Sequence, residues 1–318
     1  MKRFLAILLA AVLLLGIAAA EEEAKYTALI NVNSQMRSEP DEDSRRKHAM
    51  PKGSKVQVIQ WGEDWCRVAH EGVVGWAKTS WLYCLHSMDP MLYPLPNRDY
   101  AVTGYAVMTK PTEIKGGEFA GLTAQVGQLV CVEKRSGALL APVWRSHMAL
   151  PDSAAYRAFV DWREAASGDI IGGYTTFYGE QLGKGRTEER AYNIHLGCQR
   201  VNGAVVESGA TFSFNALCAP YKKHNGWMEG PNISSDGLGW GGGVCQLSTT
   251  LYNAVLTLPL PIGEWAIHKY SGVQYAQQFF DASVGLYSDF TFVNSLPYPI
   301  TILTLPQDGM LTVLICRQ

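Results

Sequence analysis

Apolar residues fall along this chain in changing rhythms. From Tyr26 to about Cys84 they come as short runs, Ala28-Leu29-Ile30, Lys55-Val56-Gln57-Val58-Ile59, Trp65-Cys66-Arg67-Val68 and Val73-Val74-Gly75-Trp76, with turn residues between them. Alternation of period two, with turns roughly every ten residues, predicts a small all-β barrel over residues 26–85, with Trp65 and Trp76 filling its core. Residues 86–102 are rich in proline and polar groups and read as a linker. Residues 103–151 repeat the strand rhythm in Tyr105-Ala106-Val107-Met108, Gly127 to Val132 and Leu139 to Trp144, and predict a β-rich spacer or a second barrel. Tyr156, Phe159, Val160 and Trp162 then recur at helical spacing, which predicts a helical connector over 152–169.

From Ile170 onward the rhythm is mixed. Tyr174 to Phe177 reads as a strand, Glu188 to Val201 as a helix ended by Asn202-Gly203, and Gly209 to Asn215 as extended chain. Ser288–Val293, Ile300–Leu305 and Met310–Cys316 read as strands, with a hairpin turn at Pro306-Gln307-Asp308-Gly309. Residues 170–318 are therefore expected to be an α+β domain in which a helix packs on antiparallel sheet. The fold class predicted for the whole chain is α+β, with one or two small all-β barrels first.

The helix that matters follows five glycines in the run Gly237 to Gly243. Val244-Cys245-Gln246-Leu247 opens it, Leu247, Leu251, Ala254 and Val255 recur at helical spacing, and Pro259 and Pro261 end it. Cys245 thus sits in a first helical turn, where unpaired amides and the helix dipole favour an anionic sulfur. A thiol nucleophile needs a base and a group that orients the base; His268 and Asp281 follow in chain order, in segments that read as strands or strand ends. Amides from Gly241, Gly242 and Gly243 to Gln246 are candidates to hold an oxyanion, with the Gln246 side chain as an added donor. The competing reading is a noncatalytic site in which the glycine loop holds a carboxylate or other anion.

Charge and composition narrow the partners. The formal net charge is −2 and the lysines and arginines are scattered, so nucleic acid is excluded as the expected partner. Lys2-Arg3, an apolar stretch from Phe4 to Ile17 and Ala18-Ala19-Ala20 read as a secretory signal peptide over residues 1–20. No later segment reads as a membrane span. The expected location is extracytoplasmic, and the oligomeric state is open. Seven cysteines leave at least one thiol unpaired in such a compartment; the pairings considered are Cys66 with Cys84 and Cys198 with Cys218. No cofactor is expected. A metal site built from His195, Cys198, Cys218, His224 and His268 is the weakest of the readings, and no metal ligand is assigned.

Two resemblances complete the reading. Met36 to Pro40, Lys52-Gly53, Gly62-Glu63-Asp64-Trp65, Gly75-Trp76-Ala77 and Trp81-Leu82 resemble a bacterial SH3-type domain. That resemblance implies binding of cell-wall peptide, with Trp61 and Trp81 as groove candidates. Tyr174 to Phe177, Asn193-Ile194, Asn202-Gly203, Phe212-Ser213-Phe214-Asn215 and above all GGGVCQLSTTLYNA at 241–254 resemble the VanW family. His268, Tyr275, Asp281-Ala282, Asp289-Phe290 and Pro297 to Ile300 continue the likeness. It implies the cell envelope and a link to vancomycin resistance, and makes peptidoglycan or its peptide stems the expected partner. The family often carries a second histidine two positions after the first, where this chain has Tyr270; Tyr270 is accordingly a binding candidate and His268 the base.

Overall fold

Strands with one buried face account for the amino-terminal part. The computed structural model describes residues 24–87, 101–115, 119–143, 146–178, 187–232, 237–268, 273–277, 279–307 and 309–318; the expected signal peptide lies outside them. The chain divides into two units between Cys84 and Leu85. In the first, β1 (Tyr26–Ile30), β2 (Ser34–Arg37), β3 (Arg46–Met50), β4 (Lys55–Gln60), β5 (Trp65–His70), β6 (Val73–Lys78) and β7 (Leu82–Ser87) form one antiparallel sheet in the order β3-β2-β6-β5-β4-β1-β7. Its interior is Ile30, Met36, Met50, Val56, Val58, Cys66, Val68 and Ala77. Because Cys66 pairs with Ala77 across β5 and β6 and both point inward, the period of two turns Trp65 and Trp76 outward, and both are only half-buried. These tryptophans therefore clothe the sheet and do not fill it. Trp81 stands edge-on to Trp65 at 6.1 Å, and Trp61 edge-on to Tyr26 at 5.9 Å.

The second unit begins with β8 (Gly104–Val107), β9 (Thr112–Glu113), β10 (Thr123–Ala124), β11 (Leu129–Arg135), β12 (Ala138–Val143), β13 (Ser146–Ala149) and β14 (Ala155–Ala158). Five of them make a sheet in the order β13-β12-β11-β8-β14, and β9 and β10 form a ribbon. The helical connector expected over 152–169 is absent. Ala155–Ala158 pairs antiparallel with β8, Phe159 and Val160 continue main-chain bonds to Thr103 and Ile170, and Asp161 closes a turn onto the Arg163 amide. A waiting strand edge outweighs a weak helical periodicity in so short a segment.

The remainder comprises β15 (Ile170–Phe177), α1 (Thr187–Val201), β16 (Ala204–Val206), β17 (Thr211–Ser213), α2 (Phe214–Cys218), β18 (Glu229–Pro231), β19 (Leu238–Trp240), α3 (Val244–Val255), β20 (Thr291–Val293), β21 (Ile300–Gln307) and β22 (Met310–Arg317). Its main sheet runs β15-β22-β21-β16, all antiparallel. Ile171 to Phe177 and Met310 to Cys316 are buried without alternation, because both faces are covered. Helix α3 lies on β15 and β22, α1 lies on β21, and β11 and β12 of the five-stranded sheet lie against β15. Phe177 and Met310 share a core with Met108, Val130, Val132 and Met148, so residues 103–158 are not a free spacer. Gln307 seals the junction by accepting from the Leu129 amide at 2.8 Å and donating to its carbonyl at 2.9 Å. No helix among the described residues is long and apolar enough to cross a membrane.

One backbone contact in the amino-terminal sheet gives a direct test. A Cβ on Gly75 would lie 2.6 Å from the Arg37 carbonyl oxygen and 2.6 Å from Met36 Cγ, so β2 and β6 would have to separate. Gly75→Ala is expected to destabilise this unit by about 1–3 kcal/mol, read as a lower urea midpoint for its transition, whereas Gly53→Ala, strained only by its φ of +87°, disturbs no packing.

Candidate functional site

The glycine run delivers a helix start that no side chain caps. Gly243 is the N-cap with φ 104°, a left-handed conformation, and a Cβ there would come within 2.8 Å of Arg190 Cγ; glycine satisfies both demands at once. The loop is pinned from α1 by the buried Asn193, whose side-chain amide donates to the carbonyls of Gly242 and Met228 at 2.9 Å each and accepts from the Met228 amide. At the helix start the Val244 amide is bonded to Gly241 and the Gln246 amide to Gly243. The Cys245 amide between them has no main-chain partner among the described residues.

Every residue of α3 is buried except Cys245. A helix buried all round must settle its polar side chains inside the protein, and the run QLSTTLYN does so in two directions. Toward the sheet, Gln246 donates to Thr176 Oγ1 at 3.0 Å and to the Phe177 carbonyl at 3.1 Å, and Thr250 meets Thr176 at 2.7 Å. Toward the opposite side, Ser248 donates to the Ala282 carbonyl at 2.7 Å, Thr249 accepts from the Ala282 amide at 3.0 Å, and Asn253 donates to the Phe280 carbonyl at 2.7 Å. These bonds fix residues 280–282, and hence Asp281, against the helix that bears Cys245.

Asp281 is 2% exposed. Its Oδ2 accepts from His268 Nδ1 at 2.6 Å and from the His268 amide at 2.7 Å. With Nδ1 committed as donor, the other ring nitrogen is left for the sulfur. His268 and Asp281 lie on irregular chain, not on the strands expected for them. Burial works to lower the His268 pKa, but the bond to Asp281 and the hydrogen bond and charge of Cys245 outweigh it and raise the value to about 10. The Cys245 sulfur also donates to the Val284 carbonyl at 3.4 Å. The three residues read from the sequence as nucleophile, base and orienting carboxylate are thus brought together.

They open on a pocket of about 460 Å³ whose walls include Arg190, Gly241 to Gly243, Cys245, His268, Tyr275 and Leu286. Gln246 is not available there as an oxyanion donor: it is fully buried, both hydrogens of its amide nitrogen face Thr176 and Phe177, and its oxygen accepts from Arg190. It positions the helix instead. Arg190, which sequence reasoning passed over, lies on the pocket wall with its guanidinium 5.6 Å from the Tyr275 ring. Burial lowers its pKa, while Tyr275, Cys245 and Tyr178 oppose that shift. Tyr270 falls outside the described residues.

The other cysteines are set apart from this chemistry. Cys66, Cys131, Cys198, Cys218 and Cys316 are buried free thiols, and Cys245 alone of the described cysteines reaches solvent. Neither pairing considered, Cys66 with Cys84 or Cys198 with Cys218, is formed. Burial pushes the thiols of Cys131, Cys198 and Cys218 up to about 12, which keeps them protonated and unreactive. The metal reading fails as drawn: His195 lies 3.5 Å from the Tyr178 hydroxyl, and the donors that do converge among the described residues are His48, His70 and Glu71.

A small antiparallel β domain joined to an α+β domain with a Cys-His-Asp pocket is the class that fold and site define. Residues 31–82 match the family model of the bacterial SH3 domain, and residues 189–316 match that of VanW like protein; the chain carries both domains in that order. Two curated relatives align. The uncharacterized protein YoaR of Bacillus subtilis (strain 168) is 34% identical over 135 residues, which is 42% of this chain and 43% of the relative. The vancomycin B-type resistance protein VanW of Enterococcus faecalis (strain ATCC 700802 / V583) is 32% identical over 77 residues, 24% of this chain and 28% of the relative. The chain thus spans less than half the length of either.

The Asp281 bond can be tested by titration. In the wild type the imidazole midpoint of His268, followed by NMR, is expected near 10, and Asp281→Asn is expected to bring it back toward the ordinary 6.5. Since the folded value is the raised one, this proton stabilises the domain fully below pH 6.5 and the contribution is lost as the pH rises toward 10. Asp281→Asn should flatten that part of the stability profile.

Proposed function

We propose that this is an extracytoplasmic, cell-wall-associated protein whose VanW-like domain performs thiol acyl transfer on the peptide stems of peptidoglycan. The observation that carries the reading is the convergence of Cys245, His268 and Asp281 on one accessible pocket, with every other described cysteine buried. Cys245 and His268 act as a thiolate–imidazolium pair, with Asp281 holding the ring in register. The sulfur attacks a peptide carbonyl carbon, a C–S bond forms, and the oxyanion is received by the Cys245 amide, which has no main-chain partner among the described residues. Collapse breaks the C–N bond as His268 gives its proton to the leaving amine. Water, or the amine of a second stem, then attacks the thioester and gives its proton to His268 as the C–S bond breaks, which restores the thiolate and the imidazolium. Hydrolysis and transpeptidation share all but that last nucleophile.

The SH3-type domain supplies retention at the wall, with the half-buried Trp61 and Trp81 as the surface for peptide. The name of one relative, a vancomycin resistance protein, supports a role in the cell envelope. A noncatalytic alternative, in which the pocket only holds an anionic group, draws on the cation that Arg190 places in its wall.

Incubation of the full chain with purified muropeptides, followed by mass spectrometry, decides between them. The wild type is expected to yield shortened or newly joined stems, and Cys245→Ser to yield none. Identical spectra from both proteins, across several stem peptides and amine acceptors, would sink the enzymatic reading.

A further inference from the structure

Among the described residues Arg190 has no partner equal to its charge. Of its five N–H donors, one contact goes to the Gln246 side-chain oxygen, the Nε–H is buried with no acceptor, and no carboxylate pairs with it among the described residues. Arg200, ten residues along the same helix, shows the contrast: it donates to the carbonyls of Cys218 and Asn225 and stacks over Trp227 at 4.7 Å. A half-buried guanidinium whose Nε–H is buried and unanswered carries a cost unless something answers it. Asp281 is held by His268, and no acidic side chain is among the described residues that line the pocket.

We infer that Arg190 is the anion-binding group of this pocket, and that its ligand is the free carboxylate of the peptide whose carbonyl Cys245 attacks. The location of that carbonyl rests on the acyl-transfer reading; the carboxylate subsite does not. A single planar fork matches the two oxygens of a carboxylate. Among the described residues the rest of the wall is largely aromatic and apolar, Tyr221, Trp240, Val273, Tyr275, Val284 and Leu286, with Asn232 and Gln274 beside them. Such walls suit the side chain of a small terminal residue, and about 460 Å³ accommodates a ligand of dipeptide size. Gln246 then has a defined purpose. Locked to Thr176 and Phe177 through its nitrogen, it holds the guanidinium by its oxygen and aims it across the mouth of the helix. Tyr275 supports the same group from its ring face.

The test is equilibrium binding to the full-length Cys245→Ala protein, which cannot turn over, using N-acetyl-alanyl-alanine as the free acid and as the terminal amide, each in L and D forms. In at least one stereoisomer the acid is expected to bind roughly 10- to 100-fold more tightly than the amide, the size of a charge-assisted contact. Adding Arg190→Gln should shrink that ratio to about threefold or less, and Arg190→Lys should restore part of it, with thermal melts confirming that each variant is folded. Equal affinity for acid and amide, an acid preference that survives Arg190→Gln, or no binding of any of the four peptides at millimolar concentration would each overturn the assignment. An acid preference in a protein that leaves muropeptides unchanged would keep the subsite and remove only the acyl-transfer reading.

Discussion

The carboxyl-terminal domain depends on the buried polar face of α3. Ser248, Thr249, Thr250, Asn253 and Gln246 are all excluded from water, and each would be a penalty of about 1–3 kcal/mol if left unbonded. Their partners are main-chain groups of residues 280–282 on one side and β15 on the other. The helix therefore cannot rotate or slide without exposing several unsatisfied groups together. That constraint converts a run of small polar residues into a rigid frame, and the frame sets the height of Asp281, and through it His268, relative to Cys245.

The same constraint explains the division of labour along the signature. Glycines carry the chain into the helix with a left-handed cap; the apolar positions Leu247, Leu251 and Val255 are buried, Leu247 against Gly197 of α1; the polar positions hold β15 on one side and the loop that bears the acid on the other. Cys245 is the single member of the helix that is not consumed by packing. The layer formed by β8 to β14 contributes by backing β15 from its other face, so the sheet on which the helix rests is supported on both sides.

Much of this was legible in the sequence, and the reasons for the rest are specific. The strand rhythm of residues 26–85 and the glycine-to-helix transition at Cys245 are local features, set by neighbours within a few positions, and both appear in the structure. The pairing of His268 with Asp281 was legible as order along the chain, although the segments bearing them are irregular. Gln246 was misread as an oxyanion donor because sequence does not reveal where a buried amide spends its hydrogens. Arg190 follows Glu188 and Glu189 at a helix start and looks like an ordinary solvated charge; only the fold turns it to the pocket. The helix expected near Tyr156 gave way to a strand because β8 offers an unpaired edge, and Trp65 and Trp76 were placed inside because composition does not show which face of a strand is inward.

The central claim is that His268, fixed by Asp281, activates the Cys245 sulfur. The most direct measurement is the rate of Cys245 alkylation by iodoacetamide at neutral pH in the folded full-length protein, resolved residue by residue by mass spectrometry. The account predicts that Cys245 reacts far ahead of the buried cysteines and that His268→Ala slows it at least about tenfold. A Cys245 rate that is unchanged by His268→Ala would contradict it.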